Sequence, residues 1–369
     1  MTSKQSIRFI PTDKSLFFST LTSRVDQYFK EKNRSKFGNL QLYVKTIILL
    51  SAYLGPLFWM ISQPVYMGWM LALWAFMGVA MAGVGMSIMH DANHGAYSSK
   101  NKVNFLVGSS INLVGGSIQN WKWQHNTLHH TFTNIAEFDD DIADKPGLRL
   151  SPHTTHAKST HRFQSLYAIF IYGLVTFYWV TAKDFLQYKR YISIGLNKNT
   201  AAQNRVLLAK IIAVKVGYFL FFIGLPIAAG IPILQVIAGF LLMHFIGGVI
   251  LTVIFQLAHS VEETSFPLPN EAGIIENDWA IHQMNTTVNF SRKSKWLSWY
   301  VGGLNFQVEH HLFPKISHVH YPKISSIVEK TAKEFNVPYL VHASFGRALR
   351  SHFTALKSYG VPEMDELMG

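Results

Sequence analysis

Three histidine clusters carry whatever chemistry this chain performs. His125-Asn126-Thr127-Leu128-His129-His130 puts three imidazoles in six residues, His90-Asp91-Ala92-Asn93-His94 precedes it, and Gln307-Val308-Glu309-His310-His311 follows far downstream. Imidazole is a preferred ligand for iron, zinc and copper. His90 and His94 are four apart, so an α-helix sets them on one face, one turn apart. His125 and His129 repeat that spacing, with His130 turned about 100° further round. Gln307 stands three residues before His310 and four before His311, so a helix makes all three neighbours. The chain has no cysteine, which excludes disulfides, thiolate metal sites and cysteine nucleophiles. Any metal must rest on His, Asp, Glu or neutral oxygen. One histidine pair at helical spacing says little; three clusters at one depth of one protein point to a metal site at the water-facing edge of a membrane.

The elements around the clusters support that depth. Of 369 residues 49% are hydrophobic and only 15% charged, against about 25% charged in soluble domains. Residues 46–89 contain no charge, and a spanning helix needs about 20 apolar residues, so two spans fit. Ser62-Gln63-Pro64 breaks them, because Pro disfavours helix at the residue before it and lacks an N–H. Spans are expected at about 42–62 and 65–89, with His90 at the exit of the second. A second charge-free run, 216–260, breaks at Ala228-Ala229-Gly230-Ile231-Pro232. It gives spans at about 207–229 and 233–257, with His259 just past the last. No residue-by-residue repeat underlies the similarity of the two halves.

Every Lys and Arg except Lys45, Lys210 and Lys215 lies in 1–41, 90–205 or 259–369. Four spans put those regions on one side, which the positive-inside rule makes cytoplasmic; the three exceptions lie where long cationic side chains can snorkel. The formal charge of +12 therefore reads as cytoplasmic loops. No zinc finger, basic heptad helix or RNA-stacking motif accompanies it, and no nucleic-acid partner is expected. Residues 1–9 lack the apolar core of a signal peptide. Residues 166–182 are apolar and aromatic, but a fifth crossing would put His259 and the third cluster opposite the first two. This segment is therefore expected to be an interfacial or protein-packed helix, and 105–118, with Gly108, Gly115 and Gly116, a re-entrant or peripheral one. In 1–41, Val25, Tyr28 and Phe29 fit one side of an amphipathic helix, lying on the membrane or packed as a cap. Beyond 260 helices are expected around 276–290, 294–313 and 321–334. No Gly/Ser-rich linker divides the chain. The fold class is all-α integral membrane protein: four transmembrane helices in two hairpins, with a cytoplasmic helical cap that carries the metal site.

In these residues the chain resembles the membrane fatty acid desaturases, a diiron family with three histidine boxes. The boxes here are His90–His94, His125–His130 and a third whose first histidine is replaced by Gln307, the mark of the front-end subgroup. Neighbouring text matches as well: His129-His130-Thr131-Phe132-Thr133-Asn134, Asp139-Asp140-Asp141-Ile142, 279–289 with Thr286-Thr287, and Gln307-Val308-Glu309-His310-His311-Leu312-Phe313-Pro314. The resemblance spans about 40–345. It implies 1–41 as a cytoplasmic N-terminal segment, 42–345 as the desaturase domain and 346–369 as a tail.

The resemblance implies two iron ions with O₂ as co-substrate, held by His90, His94, His125, His129, His130, His259, His310 and His311. Gln307 is open to three roles: ligand through its amide oxygen, ligand through water, or orienter of a neighbour. Asp141 or Asp139 is a candidate acceptor for a ligand N–H, an arrangement common around metal-bound imidazole. His153, His156, His161, His244, His282, His318, His320, His342 and His352 are expected to be structural, exposed or near substrate.

The implied reaction is O₂-dependent insertion of a cis double bond into an acyl chain carried on CoA or on a lipid. A narrow apolar tunnel would present the chain, with 66–86, 111–123 and 299–306 as candidate linings. Many eukaryotic front-end enzymes carry a fused cytochrome b5 domain with an HPGG haem motif. None is present in this sequence, so a separate ferredoxin or cytochrome b5-like donor is expected, drawn to a basic surface. A bacterial source would place the protein in the inner membrane. A histidine-box hydroxylase shares the ligands and the oxidant, and box spacing does not separate the two. A membrane metal transporter is the non-enzyme alternative, but the expected spans contain no acid.

Overall fold

The computed structural model describes residues 7–10, 15–143, 147–153 and 157–361. The charge-free runs fold as helices because their backbones have no other partner in an apolar medium. Among the described residues, five helices are long and apolar enough to cross a membrane: Leu40–Ser62, Met67–Asn93, His161–Ser193, Ala201–Ala228 and Ile233–His259. Four coincide with the expected spans. The remaining one, His161–Ser193, contains the segment expected to be interfacial; it meets the same length and composition standard and is the least hydrophobic of the set. Local signals set the ends. Asn39 caps Leu40–Ser62 by accepting from the Leu42 N–H, Thr200 and Gln203 form a capping box before Ala201, and Gly230 turns at φ 92° before Pro232.

The chain divides into two compact units. The first draws on Met1–Gly38, Gln124–Ala168 and Ile254–Gly369, the second on Asn39–Trp123 and Ile169–Val253.

In the second unit helices approach closely through glycine. A Cβ on Gly248 would meet the Tyr172 carbonyl oxygen at 2.6 Å, so any side chain there forces the backbones apart. Lys215 is buried and donates to the carbonyls of Gly115 at 2.5 Å and Trp179 at 2.6 Å and to Asp184 at 2.5 Å. The Asp184 carboxylate in turn accepts from the Ser117 N–H at 3.1 Å, and its carbonyl from the Asn120 amide at 2.8 Å. Residues 105–118 form part of a helix, Asn101–Gly108, and a 3-10 turn, Ser109–Val114, closed by Gly115 at φ 80°. The next helix, Ile118–Trp121, leads towards the second histidine cluster.

In the first unit the N-terminal helix Phe17–Glu31 buries Phe17, Leu21, Val25 and Phe29, an i, i+4 stripe. They share a core with Val308, Leu312, Ile324 and Val328. Of its two expected settings, this apolar face occupies the packed one. The helices expected at 276–290 and 294–313 are broken instead into Trp279–Thr286, Lys295–Tyr300 and Gln307–Leu312. Gly302 and Gly303 adopt left-handed φ of 63° and 68° and end the middle piece. Tyr321–Glu334 is a helix as expected. Two short parallel pairings brace this unit, Arg8–Phe9 with Ile274–Ile275 and Asn289–Phe290 with Val341–His342.

Candidate metal centre

Five of the predicted ligands reach the first unit from two chain segments, and His259 reaches it as the last residue of Ile233–His259. Lys122–His129 is a π-helix, a form with i→i+5 bonds that is frequent at functional sites. That winding changes which rings face each other. His125 and His130, five apart, oppose their Nε2 atoms at 3.3 Å, where α-helical spacing had paired His125 with His129 and turned His130 away. Val84–Met89, just before His90, is wound the same way.

His129, His259 and His311 each offer a ring nitrogen, all within 4.8 Å of one another, and all three residues are buried. Their Nδ1 atoms are committed elsewhere. His129 donates to the Asp139 carboxylate at 3.0 Å, His259 to the Thr286 carbonyl at 3.2 Å and His311 to the Gln283 amide oxygen at 2.8 Å. The Nε2 atoms of the three have no hydrogen-bond partner among the described residues. Fixed Nδ1–H donors leave Nε2 lone pairs facing one space, the arrangement that orients a metal-bound imidazole. His130, His310 and His311 form a second buried group, and His310 Nδ1 meets the Tyr321 hydroxyl at 3.1 Å.

Electrostatics favour the same use. Burial and then the neighbouring His130 hold His311 well below the usual histidine range, and burial lowers His125 despite its contact with Asp141, so both rings keep lone pairs at neutral pH. His129 differs: burial alone would lower it, but Asp139 and Asp141 outweigh burial and lift the group to about 9, so a metal bound at its Nε2 must displace a proton there while the carboxylates hold the Nδ1 proton. Asp141 lies 3.5 Å from His125 Nδ1 and from His129 Nδ1 and accepts from Gln124. Asp139 is itself pinned by the N–H groups of Asn134 and Asp141, each at 2.9 Å.

The helix Gln307–Leu312 is held by its own glutamate. Burial raises Glu309 to about 7, against hydrogen bonds from Tyr339 at 2.6 Å and Asn289 at 2.9 Å. Gln307 is buried, and neither amide atom finds a hydrogen-bond partner among the described residues. A buried polar group left unsatisfied costs about 1–3 kcal/mol, so this position points to a ligand or bound water. Buried imidazoles whose Nε2 atoms lack a hydrogen-bond partner among the described residues, together with a polar amide, suit non-haem iron by ligand type.

His90 and His94 lie in the second unit, both buried, with ring centroids 4.7 Å apart; the Trp121 ring is 5.8 Å from one and 5.6 Å from the other.

A family profile described as fatty acid desaturase matches residues 64–343. The chain belongs to the fatty acid desaturase family. It is 35% identical to the sn-1 linoleoyl-lipid 6-desaturase of Synechocystis sp. over 98% of this chain and 99% of that one. The corresponding protein of Arthrospira platensis is 35% identical over 94% and 93%. The acyl-lipid (8-3)-desaturase of Physcomitrium patens is 36% identical over 98% of this chain and 75% of its own. This desaturase is thus an oxidoreductase, with buried histidine clusters consistent with a metal site in that family.

Sequence reasoning missed several residues that orient the desaturase's imidazoles. Gln283 and Thr286 belong to the 279–289 stretch that resembled the family, so the stretch was visible and their task was not. Asn289 ends the same stretch, whereas Tyr321 and Tyr339 gave no local signal. Of the histidines expected to be structural, exposed or near substrate, three make buried hydrogen bonds to other segments. His244 meets Thr176 and Tyr218 at 3.1 Å each, His282 donates to the Thr133 carbonyl at 2.8 Å and His352 to the Ser260 carbonyl at 2.6 Å. His156 lies outside the described residues.

Proposed function

We propose that this desaturase inserts a cis double bond between an existing one and the carboxyl end of an acyl chain esterified to a membrane lipid. The carrying observation is Gln307 in the third box of a chain that is matched over 98% of its length by relatives named as linoleoyl-lipid and acyl-lipid desaturases. Two irons, held by His90, His94, His125, His129, His130, His259, His310 and His311, would serve the reaction, with Gln307 as ligand or as partner of a bound water. When bound, iron supplies with O₂ an oxidant strong enough to take hydrogen from an unactivated methylene. The chain's own residues hold and aim the imidazoles: Asp139, Thr286 and Gln283 fix three rings through Nδ1. The balance is two hydrogens lost from adjacent carbons while O₂, two electrons and two protons yield two waters. The electrons come from a separate ferredoxin or cytochrome b5-like protein, which a chain of formal charge +12 would attract if acidic.

One geometric requirement supports a four-crossing topology. His129 and His259 share a cluster, and three apolar helices separate them in sequence, yet the chain between them must cross an even number of times. The non-crossing helix is His161–Ser193, the least hydrophobic of the five, with Lys183 and Asp184 in its second half. Both termini and the metal site then face the cytoplasm by the distribution of Lys and Arg. Because the chain is cysteine-free, single cysteines test this. An impermeant maleimide on intact cells should label Gln63→Cys and spare Lys198→Cys; labelling of Lys198→Cys would overturn the topology.

The experiment for the reaction is expression in a host supplied with linoleate, with double bonds in its intact lipids located by mass spectrometry. The expected product is two mass units lighter, with the new bond on the carboxyl side. Hydroxylated lipid without loss of two hydrogens would make the protein a hydroxylase, and a new bond on the methyl side would end the front-end reading.

A further inference from the structure

The second unit holds a groove of about 710 Å³ that the metal chemistry does not use. One wall is the start of Ala201–Ala228, presenting Val206, Leu207, Lys210 and Val214; the other includes Phe105, Asn112 and Gln119. Most of the lining is apolar. Lys210 stands roughly 14 Å along its helix from Ala201 at 1.5 Å per residue. Its exposed side chain makes no ion pair or hydrogen bond among the described residues. A cation on an apolar helix needs a counter-charge or a route to the headgroup layer. This differs from Lys215 on the same helix, which is buried on Asp184. The amides of Asn112 and Gln119 likewise make no side-chain hydrogen bond among the described residues, and neither side chain is fully buried.

We infer that this groove is a binding site for a glycerophospholipid: the phosphate sits on the Lys210 ammonium, Asn112 and Gln119 donate to its ester oxygens, and an acyl chain lies along Phe105, Val206 and Leu207. The ligand class follows from the lining. A free phosphate would leave the apolar wall uncovered, and a fatty acyl chain alone would leave Lys210 without an anion. The site requires neither metal nor turnover, so it stands or falls separately from the desaturation reading.

The test uses the purified full-length protein in neutral detergent and native mass spectrometry. The probes are dioctanoyl-phosphatidylglycerol and dioctanoylglycerol, which has the same chains and no phosphate. The phospholipid should remain bound and the diacylglycerol should not. Lys210→Ala should weaken phospholipid binding about tenfold, Lys210→Arg should largely restore it, and Ala213→Trp, which fills the groove, should abolish it. Thermal melts confirm that each variant is folded. A phosphatidylglycerol with a diazirine on its acyl chain should label 105–119 and 202–214. Equal retention of the two probes, no effect of Lys210→Ala, or label spread evenly over the other apolar helices would overturn the proposal.

Discussion

The Nδ1 proton of His129 is shared between the two carboxylate oxygens of Asp139, at 3.0 and 3.1 Å, with both residues buried. That bond sets the tautomer and aims Nε2 at the space His259 and His311 also face. Partners of this kind typically contribute 10–100-fold to metal affinity. Asp139→Asn keeps the volume and removes the charge. It should lower iron retention during dialysis against a chelator by about that factor; because it also strips a buried ion pair of one partner, the metal-free midpoint should fall, and retention is compared at a temperature where both proteins are folded. Unchanged iron retention would show that Asp139 serves the loop at 134–141 alone.

Gln307 allows stability and activity to be pulled apart. Gln307→Met conserves shape and removes two buried, unsatisfied polar atoms. If the amide serves metal or a bound water, the metal-free variant should be more stable by about 1 kcal/mol and its turnover should collapse. A less stable variant with full turnover would make Gln307 a structural residue.

The Lys215–Asp184 pair predicts a different pattern. Removing one partner of a buried pair costs about 3–5 kcal/mol, so Lys215→Met should sharply lower the thermal midpoint. Lys215→Met with Asp184→Leu should recover part of the loss, because no charge is then stranded. A double variant no better than the single one would mean that the carbonyls of Gly115 and Trp179, rather than the ion pair, are what Lys215 serves.

His352 makes stability depend on pH. Burial lowers it to about 4, with its bond to the Ser260 carbonyl as a partial offset. The unfolded imidazole takes its proton as pH falls through about 6.5, whereas the folded one resists until about 4. Between those values the unfolded state binds more protons, so the fold loses stability as pH drops. The contribution is intact above 6.5 and reduced by about 2 kcal/mol at pH 5. Thermal midpoints at pH 7.5 and 5 should therefore diverge more for the wild type than for His352→Asn. Equal divergence would exclude His352 as a source of acid sensitivity.

What the sequence revealed was local. Four of the five long apolar helices followed from charge-free runs with Pro and Gly breaks, and the clustering of histidines from their density in the chain. The pairing of His125 with His130 was not legible, because it depends on a π-helical winding of 122–129 that no residue there announces. Nor were Gln283 and Tyr321, which reach His311 and His310 only after distant segments pack. The apolar stretch in 161–193 shows the limit most clearly: composition qualifies it as a span, and only the meeting of His129 with His259 argues otherwise. The helix at 17–31 reads equally as a membrane-surface or a packed element until Val308, Leu312 and Val328 are seen against it.

Whether the histidine clusters hold the iron that oxidises the lipid chain is tested most directly by iron content and Mössbauer spectroscopy of the ⁵⁷Fe-enriched protein, read beside turnover. The proteins to compare are the wild type, His259→Ala and His311→Ala. The wild type should hold about two high-spin irons per chain, and both variants should lose iron and desaturated product together. Product formation undiminished in either variant, or in protein that holds no iron, would contradict an iron centre built on these histidines.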